Sequence, residues 1–414
     1  MNSNNEFLEA ATIIGADLCR DAVWDGGRCN WLGDAMEFVL GSWQIVHRSF
    51  GPDLYGGTSG VGLFLARLYQ ATGEKMFRTT ALGAVEHVLS RWESQPEATR
   101  VAYYAGSVGI ADALIEIGQA LDRPELVKQA LATLSSHIAT EPGPYMTDVI
   151  GGIAGTIAPL LKIPQLSERA EALGERLVAE ANRSERGWSW TTIAPTTGAA
   201  GMDLTGFSHG TAGIVWALTE LHRRTGRADF LEAARQGLRY EQSWYQPAIE
   251  NWPDFRGTPV TGADGSLTYN CALAWCHGAP GIALGRLRVF QIGRDPEMKV
   301  QAEAAIRATA RGIAAGVPGQ ESYCLCHGVG GNAEALILAS EILEDPRFLQ
   351  QARQAGLRGI ELYQRGGLNW ICGVNGGGVN PSLLLGIAGI GYFYLRLYDP
   401  ARFRTVLVPG GLSD

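Results

Sequence analysis

The chain has 414 residues, 46% hydrophobic and 18% charged, a balance that supports a large buried core and excludes disorder. Its net charge of −8 argues against nucleic acid, because no basic stripe is present to neutralise phosphates. Glycine is the unusual residue: 54 copies, well above the roughly 7% of average usage, and outside low-complexity tracts, so the glycines mark recurring backbone positions.

The chain opens with MNSNNEFLEA, which has neither the basic start nor the apolar stretch of a signal peptide. From there a repeat runs along the sequence. Gly-x-x-Gly stands at 57/60, 106/109, 152/155, 210/213, 278/281, 328/331 and 386/389. The pairs lead into VGLFLARLY, IADALIEIG, TIAPLLKI, IVWALTEL, IALGRLRVF, NAEALILAS and IGYFYLRLY. Successive second glycines lie 49, 46, 58, 68, 50 and 58 residues apart. Such spacing is the signature of a repeat architecture. Between the Gly-led runs lie amphipathic stretches, as in PELVKQALATLSSHI, where Leu126, Val127, Ala130, Leu131, Leu134 and Ile138 fall on one helical face. Each unit thus reads as an apolar inner helix and an amphipathic outer helix, with weak strand signals throughout. Inner helices apolar nearly all round favour closure into an all-α ring, an α/α toroid of seven helical hairpins, over an open solenoid. The last run, SLLLGIAGIGYFYL at 382–395, is too short for a membrane span and reads as a buried helix.

In a closed ring the Gly-x-x-Gly segments gather at one mouth, at the N-termini of the inner helices. The residue before the first Gly is then Gly56, Ala105, Gly151, His209, His277, His327 and Leu385. One position earlier stand Tyr55, Tyr104, Ile150, Ser208, Cys276, Cys326 and Leu384. Three consecutive repeats place His at one structural position, and two place Cys beside it. Cys and His are zinc ligands, and equivalent loops of a ring bring them into one space. The alternative is that Cys276 and Cys326 are small buried hydrophobes and the His residues satisfy core hydrogen bonds. Seven cysteines, an odd number with no export signal, point to reduced thiols in a cytoplasmic protein and to metal or catalytic use.

The segments YGGTSGVGLFLARLY, GFSHGTAGIVWALTEL, AWCHGAPGIALGRL, CHGVGGNAEALI and LLLGIAGIGYFYLRLYDP resemble the lanthionine synthetase C-like family, the lanthipeptide cyclases, from about residue 10 to about residue 400. Within it the chain looks most like the C-terminal cyclase domain of two-domain synthetases, here without the upstream dehydratase: a stand-alone cyclase or an excised domain. The resemblance implies a single toroid domain over 1–414, holding one Zn²⁺ through Cys276, Cys326 and His327. It matches His209 to the family's general acid/base and Asp148 to its Asp, which orients that His or assists thiol deprotonation; by itself Asp148 also reads as a helix N-cap. Some members have Tyr after the first ligand Cys and Arg four residues before it; this sequence has His277 and Ala272 there. His277, Trp275 and Cys372 are candidate substrate-contacting or supporting residues. The implied reaction adds a peptide Cys thiol to dehydroalanine or dehydrobutyrine. A free thiol has a pKa of about 8.5, so coordination is needed to make it thiolate at neutral pH. The implied partners are a dehydrated precursor peptide and a separate dehydratase. Two other functions share these residues: glutathione-type thiol addition, and a non-catalytic zinc scaffold, which needs neither His209 nor Asp148.

Overall fold

The computed structural model describes residues 3–138, 143, 145–192 and 202–411. Fourteen α-helices stand among them. In chain order they are α1 (Ser3–Arg20), α2 (Thr58–Thr72), α3 (Lys75–Arg91), α4 (Ser107–Ala120), α5 (Pro124–Ile138), α6 (Ala154–Leu161) and α7 (Ser167–Ala179). They continue with α8 (Thr211–Thr225), α9 (Ala228–Gln242), α10 (Ala279–Gly293), α11 (Pro296–Ala315), α12 (Val329–Ile342), α13 (Pro346–Gly359) and α14 (Ile387–Tyr398). Every even-numbered helix is one of the Gly-led apolar runs. Four of the seven, α2, α6, α8 and α10, are buried over their first eight residues or more, which is what an all-round apolar sequence requires. The odd-numbered helices bury one face only: α5 hides Leu126, Ala130, Leu134 and Ile138.

Six pairs are hairpins, from α2·α3 to α12·α13. The seventh joins the two ends of the chain, because α1 packs as the outer partner of α14, and α14 packs on α2 to complete the inner ring. The closure is written in the backbone at the mouth. Tyr55 N–H donates to Tyr104 O (2.9 Å), Ala105 to Ile150 O (3.3 Å), Ile150 to Ser208 O (3.3 Å) and Ser208 to Cys276 O (3.4 Å). Cys276 donates to Cys326 O (3.3 Å), Cys326 to Leu384 O (2.9 Å) and Leu384 back to Tyr55 O (3.0 Å). All seven positions two residues before each repeat's first Gly take part, with Ala105 donating in place of Tyr104 in the second repeat. The glycines make the approach possible. A Cβ on Gly109, Gly155, Gly213, Gly281, Gly331 or Gly389 would overlap the carbonyl oxygen six residues earlier in its own loop.

The hole in the ring is filled by the chain's end. Val406, Leu407 and Val408 are buried, with Tyr104 Oη donating to Val406 O (2.8 Å) and Trp275 Nε1 to Leu407 O (2.9 Å). The expectation of weak strands holds only in part. Four two-stranded antiparallel hairpins decorate the loops: β1 (Val23–Asp25) with β2 (Arg28–Asn30), β3 (Leu32–Val39) with β4 (Ser42–Ser49), β5 (Asn182–Ser184) with β6 (Gly187–Ser189), and β7 (Val260–Thr261) with β8 (Leu267–Thr268). The longest, β3–β4, turns through Leu40 and Gly41, both at positive φ (51° and 85°), a two-residue turn that a Leu in its first position disguises. No helix among the described residues is long and apolar enough to cross a membrane.

Candidate metal and catalytic site

Cys276 and Cys326 are neighbours in the mouth ring, so their side chains leave adjacent loops into the same space. His327 follows Cys326 directly. The two sulfurs and one imidazole nitrogen lie within 4.8 Å of one another. His327 Nε2 is 2.9 Å from Gly373 O, and a carbonyl only accepts, so Nε2 carries the proton and Nδ1 keeps a lone pair. That arrangement is the usual outer partner of a metal-bound His. Two thiols and a carbonyl-anchored imidazole fit zinc by donor chemistry.

The three groups of the trio are electrostatically linked, and with no metal present a proton is shared among them. The Cys276 thiol is held well below its ordinary pKa, first by its hydrogen bond with Cys326 and then by His327. The same shared bond, together with burial, pushes Cys326 well up. Burial opposes charge on His327, but hydrogen bonds to Cys276 and Cys324 outweigh it and raise the pKa to about 11. Tyr55, at the register position of the cysteines in the first repeat, donates its hydroxyl to Cys326 Sγ (3.0 Å).

Asp148 and His209 also meet. Asp148 is 1% exposed; its Oδ1 accepts from Gly151 N–H (2.9 Å) and its Oδ2 lies 2.6 Å from His209 Nδ1. Asp148 thus holds the turn at Gly151 with one oxygen and His209 with the other; it is not the helix N-cap, since α6 is preceded by Ile153 with no side-chain cap bond. The pairing gives Nδ1 the proton and leaves Nε2 of His209 uncommitted.

His277 lies outside the metal trio. It is 1% exposed and stacks on His209, ring centroids 5.6 Å apart at 24°. Neither of its ring nitrogens has a hydrogen-bond partner. Burial, ahead of any charge effect, lowers its pKa to about 4. Asp254 Oδ1 lies 3.9 Å from its Nδ1. Asp254 in turn binds Arg256, through Nη2 (2.7 Å) and Nε (3.0 Å). Burial opposes charge on Arg256, yet Asp254 and then the Cys276 and Cys326 thiols raise its pKa.

Two expectations need correction. Trp275 is not placed to contact substrate: it is fully buried, packs on Tyr104 and Phe207, and its indole holds Leu407 of the C-terminal segment. Cys372 does not open to the mouth either; it is 6% exposed, and its sulfur accepts from Asn380 N–H (3.5 Å). Its neighbour Gly373 is the residue that reaches His327. Tyr55, Asp254 and Arg256 were not expected at the site. The register carried a signal for Tyr55; the sequence carries none for the other two, which arrive on a loop between α9 and α10.

The chain matches the model of the family described as lanthionine synthetase C-like protein over residues 48–408. It belongs to that family. A lacticin 481/lactococcin biosynthesis protein of Lactococcus lactis subsp. lactis is 22% identical over 380 residues, which are 88% of this chain. The chain spans 38% of that relative's length. A glutathione S-transferase of Danio rerio is 22% identical over 375 residues, covering 84% of this chain and 83% of the relative. Among solved structures, nisin cyclase superposes with a TM-score of 0.66 at 18% identity, covering 86% of this chain and 91% of the other. That likeness, with the closed double ring of helices, gives the α/α toroid as the fold.

Proposed function

We propose that this chain is a zinc-dependent cyclase that closes thioether rings in a dehydrated precursor peptide. The observation that carries the reading is the Cys276–Cys326–His327 trio with the Asp148–His209 pair one stacked ring away. The trio would hold the metal through the two Sγ atoms and Nδ1 of His327. When bound, zinc supplies Lewis acidity that draws a substrate thiol into its thiolate form at neutral pH.

The chain's own residues account for the rest. Conjugate addition leaves the α-carbon needing a proton, and His209 Nε2 is the group placed to deliver it. Asp148 fixes the tautomer and the ring plane, and the His209 side chain is 23% exposed, within reach of a bound peptide. Deep burial of Asp148 keeps water from competing for Nδ1. Cys276, Cys326 and His327 would hold the metal by three donors, which would leave room for a substrate sulfur. A separate dehydratase would supply the peptide.

The Danio rerio relative favours a second reading, addition of glutathione to the same unsaturated residues. One incubation separates them. A cyclase makes a dehydrated peptide resistant to thiol alkylation with no change in mass, whereas glutathione transfer raises the mass. A peptide that keeps both its mass and its alkylatable thiols would reject both.

A further inference from the structure

The mouth contains a second polar group that the reaction as described leaves idle. His277 is buried with two empty ring nitrogens. A buried polar group without a partner is rare unless a ligand completes it. Beside it, Arg256 holds a fork-on-carboxylate grip on Asp254, reinforced by Arg256 N–H donating to Asp254 Oδ1 (3.1 Å). The loop that presents them is itself anchored. Asp254 N–H donates to Asn270 O (2.7 Å), Thr205 Oγ1 donates to Pro253 O (2.7 Å), and Phe255 packs edge-on against Trp244 and Tyr269. The guanidinium is thus fixed at one end by Asp254, while its side chain is 44% exposed at the rim. Asp254 sits between Arg256 and His277 and touches only the former within hydrogen-bond distance.

We propose that Arg256 and His277, organised by Asp254, form the subsite that receives the carbonyl oxygen of the unsaturated residue as the ring closes. The sulfur lone pair forms the carbon–sulfur bond at the β-carbon. The double-bond electrons move through the α-carbon onto the carbonyl oxygen, giving an enolate. The enolate collapses as the α-carbon takes a proton, and the thiol proton lost at the start balances it; nothing is oxidised or reduced. The developing oxyanion needs preorganised donors. His209 is committed to the proton and the trio to sulfur. An N–H of Arg256 and one of His277 are the donors left; Asp254 holds the guanidinium in place, and the unpartnered ring nitrogens of His277 suit a role that begins when substrate arrives.

This inference rests on the cyclase reading, and the test keeps the two apart. Wild-type protein and the Arg256→Gln, Arg256→Lys and Asp254→Asn variants are given a dehydrated peptide under steady-state and single-turnover conditions, with zinc content measured beside each. Removing one oxyanion donor typically costs about 10²–10³ in rate. Arg256→Gln should lose kcat by roughly that factor with KM and zinc unchanged, and Arg256→Lys should recover part of it. Asp254→Asn should fall between, since the guanidinium remains but loses its clamp. In the zinc-loaded protein, the ¹⁵N resonances of His277 should move when a dehydroalanine-containing peptide with Ala in place of its cysteines is added. A raised KM with kcat intact, or resonances that stay still, overturns the subsite while leaving the cyclase standing. A wild-type protein that forms no ring removes both.

Discussion

Residues 274–281, AWCHGAPG, and 324–331, CLCHGVGG, hold the same register, and Cys276 N–H donates to Cys326 O across them. Their cysteines converge and their histidines part. The difference lies in the glycine that follows. Gly328 has φ −107° and extends the loop into α12, leaving His327 open to the mouth. Gly278 has φ +91°, a conformation that favours glycine, and the turn closes on itself with Ala274 N–H donating to His277 O (3.1 Å). His277 is thereby tucked against His209. On the proposed reading, the repeat supplies one ligand thiol per loop while sending two identical side chains to different tasks, metal in one loop and substrate in the next.

The comparison breaks first at the thiols. Cys276→Ala or Cys326→Ala should take zinc from one per chain to none by elemental analysis, whereas Cys271→Ala and Cys324→Ala should keep it. His327→Ala should weaken zinc binding sharply and His277→Ala should spare it; equal loss from both would erase the distinction between the loops. Next comes His209→Asn, which should retain zinc and fold but slow ring closure by about 10²–10⁴, the span for a general acid or base, in single-turnover assays. Full zinc with the wild-type rate would take His209 out of the reaction.

The seven-fold repeat, the toroid and the gathering of Cys276, Cys326, His327 and His209 at one mouth were legible because each rests on register, and register survives in a linear string; Asp148, and the choice of His327 over His277, came from the family resemblance alone. What register does not govern was not legible. The outer partner of α14 lies at the far end of the chain, and the buried Val406–Val408 segment is apolar like any other. Trp275 is drawn into the core by a bond to Leu407 O, a partner 132 residues away that no local pattern marks. Asp254 and Arg256 reach the mouth through loop packing around Phe255, a long-range matter with no local motif.

A smaller effect sharpens the histidine contrast through pH. His277 has a folded pKa of about 4 against about 6.5 unfolded, so below pH 6.5 the unfolded chain binds the extra proton. Its stability contribution is complete above pH 6.5 and is lost as pH falls toward 4, up to about 3 kcal/mol at 1.36 kcal/mol per pKa unit. Denaturant unfolding at pH 7 and pH 4.5 should show a smaller drop for His277→Gln than for wild type. The least effect belongs to Tyr55→Phe, which removes the hydroxyl from Cys326 Sγ. Outer partners of metal ligands are worth about 10–100-fold in affinity, and the lower end is expected here, read by competition with a chelator.

The central claim, that one Cys-His-Gly loop gives its His to the metal and the other withholds it, is tested most directly by X-ray absorption at the zinc edge of the purified protein. The account predicts two sulfurs at about 2.3 Å and a single imidazole nitrogen at about 2.0–2.1 Å, with a third sulfur appearing when a dehydrated peptide bearing a free Cys is added. Two imidazoles beside two sulfurs, unchanged by the peptide, would mean that His277 ligates as His327 does and that no place is left for substrate.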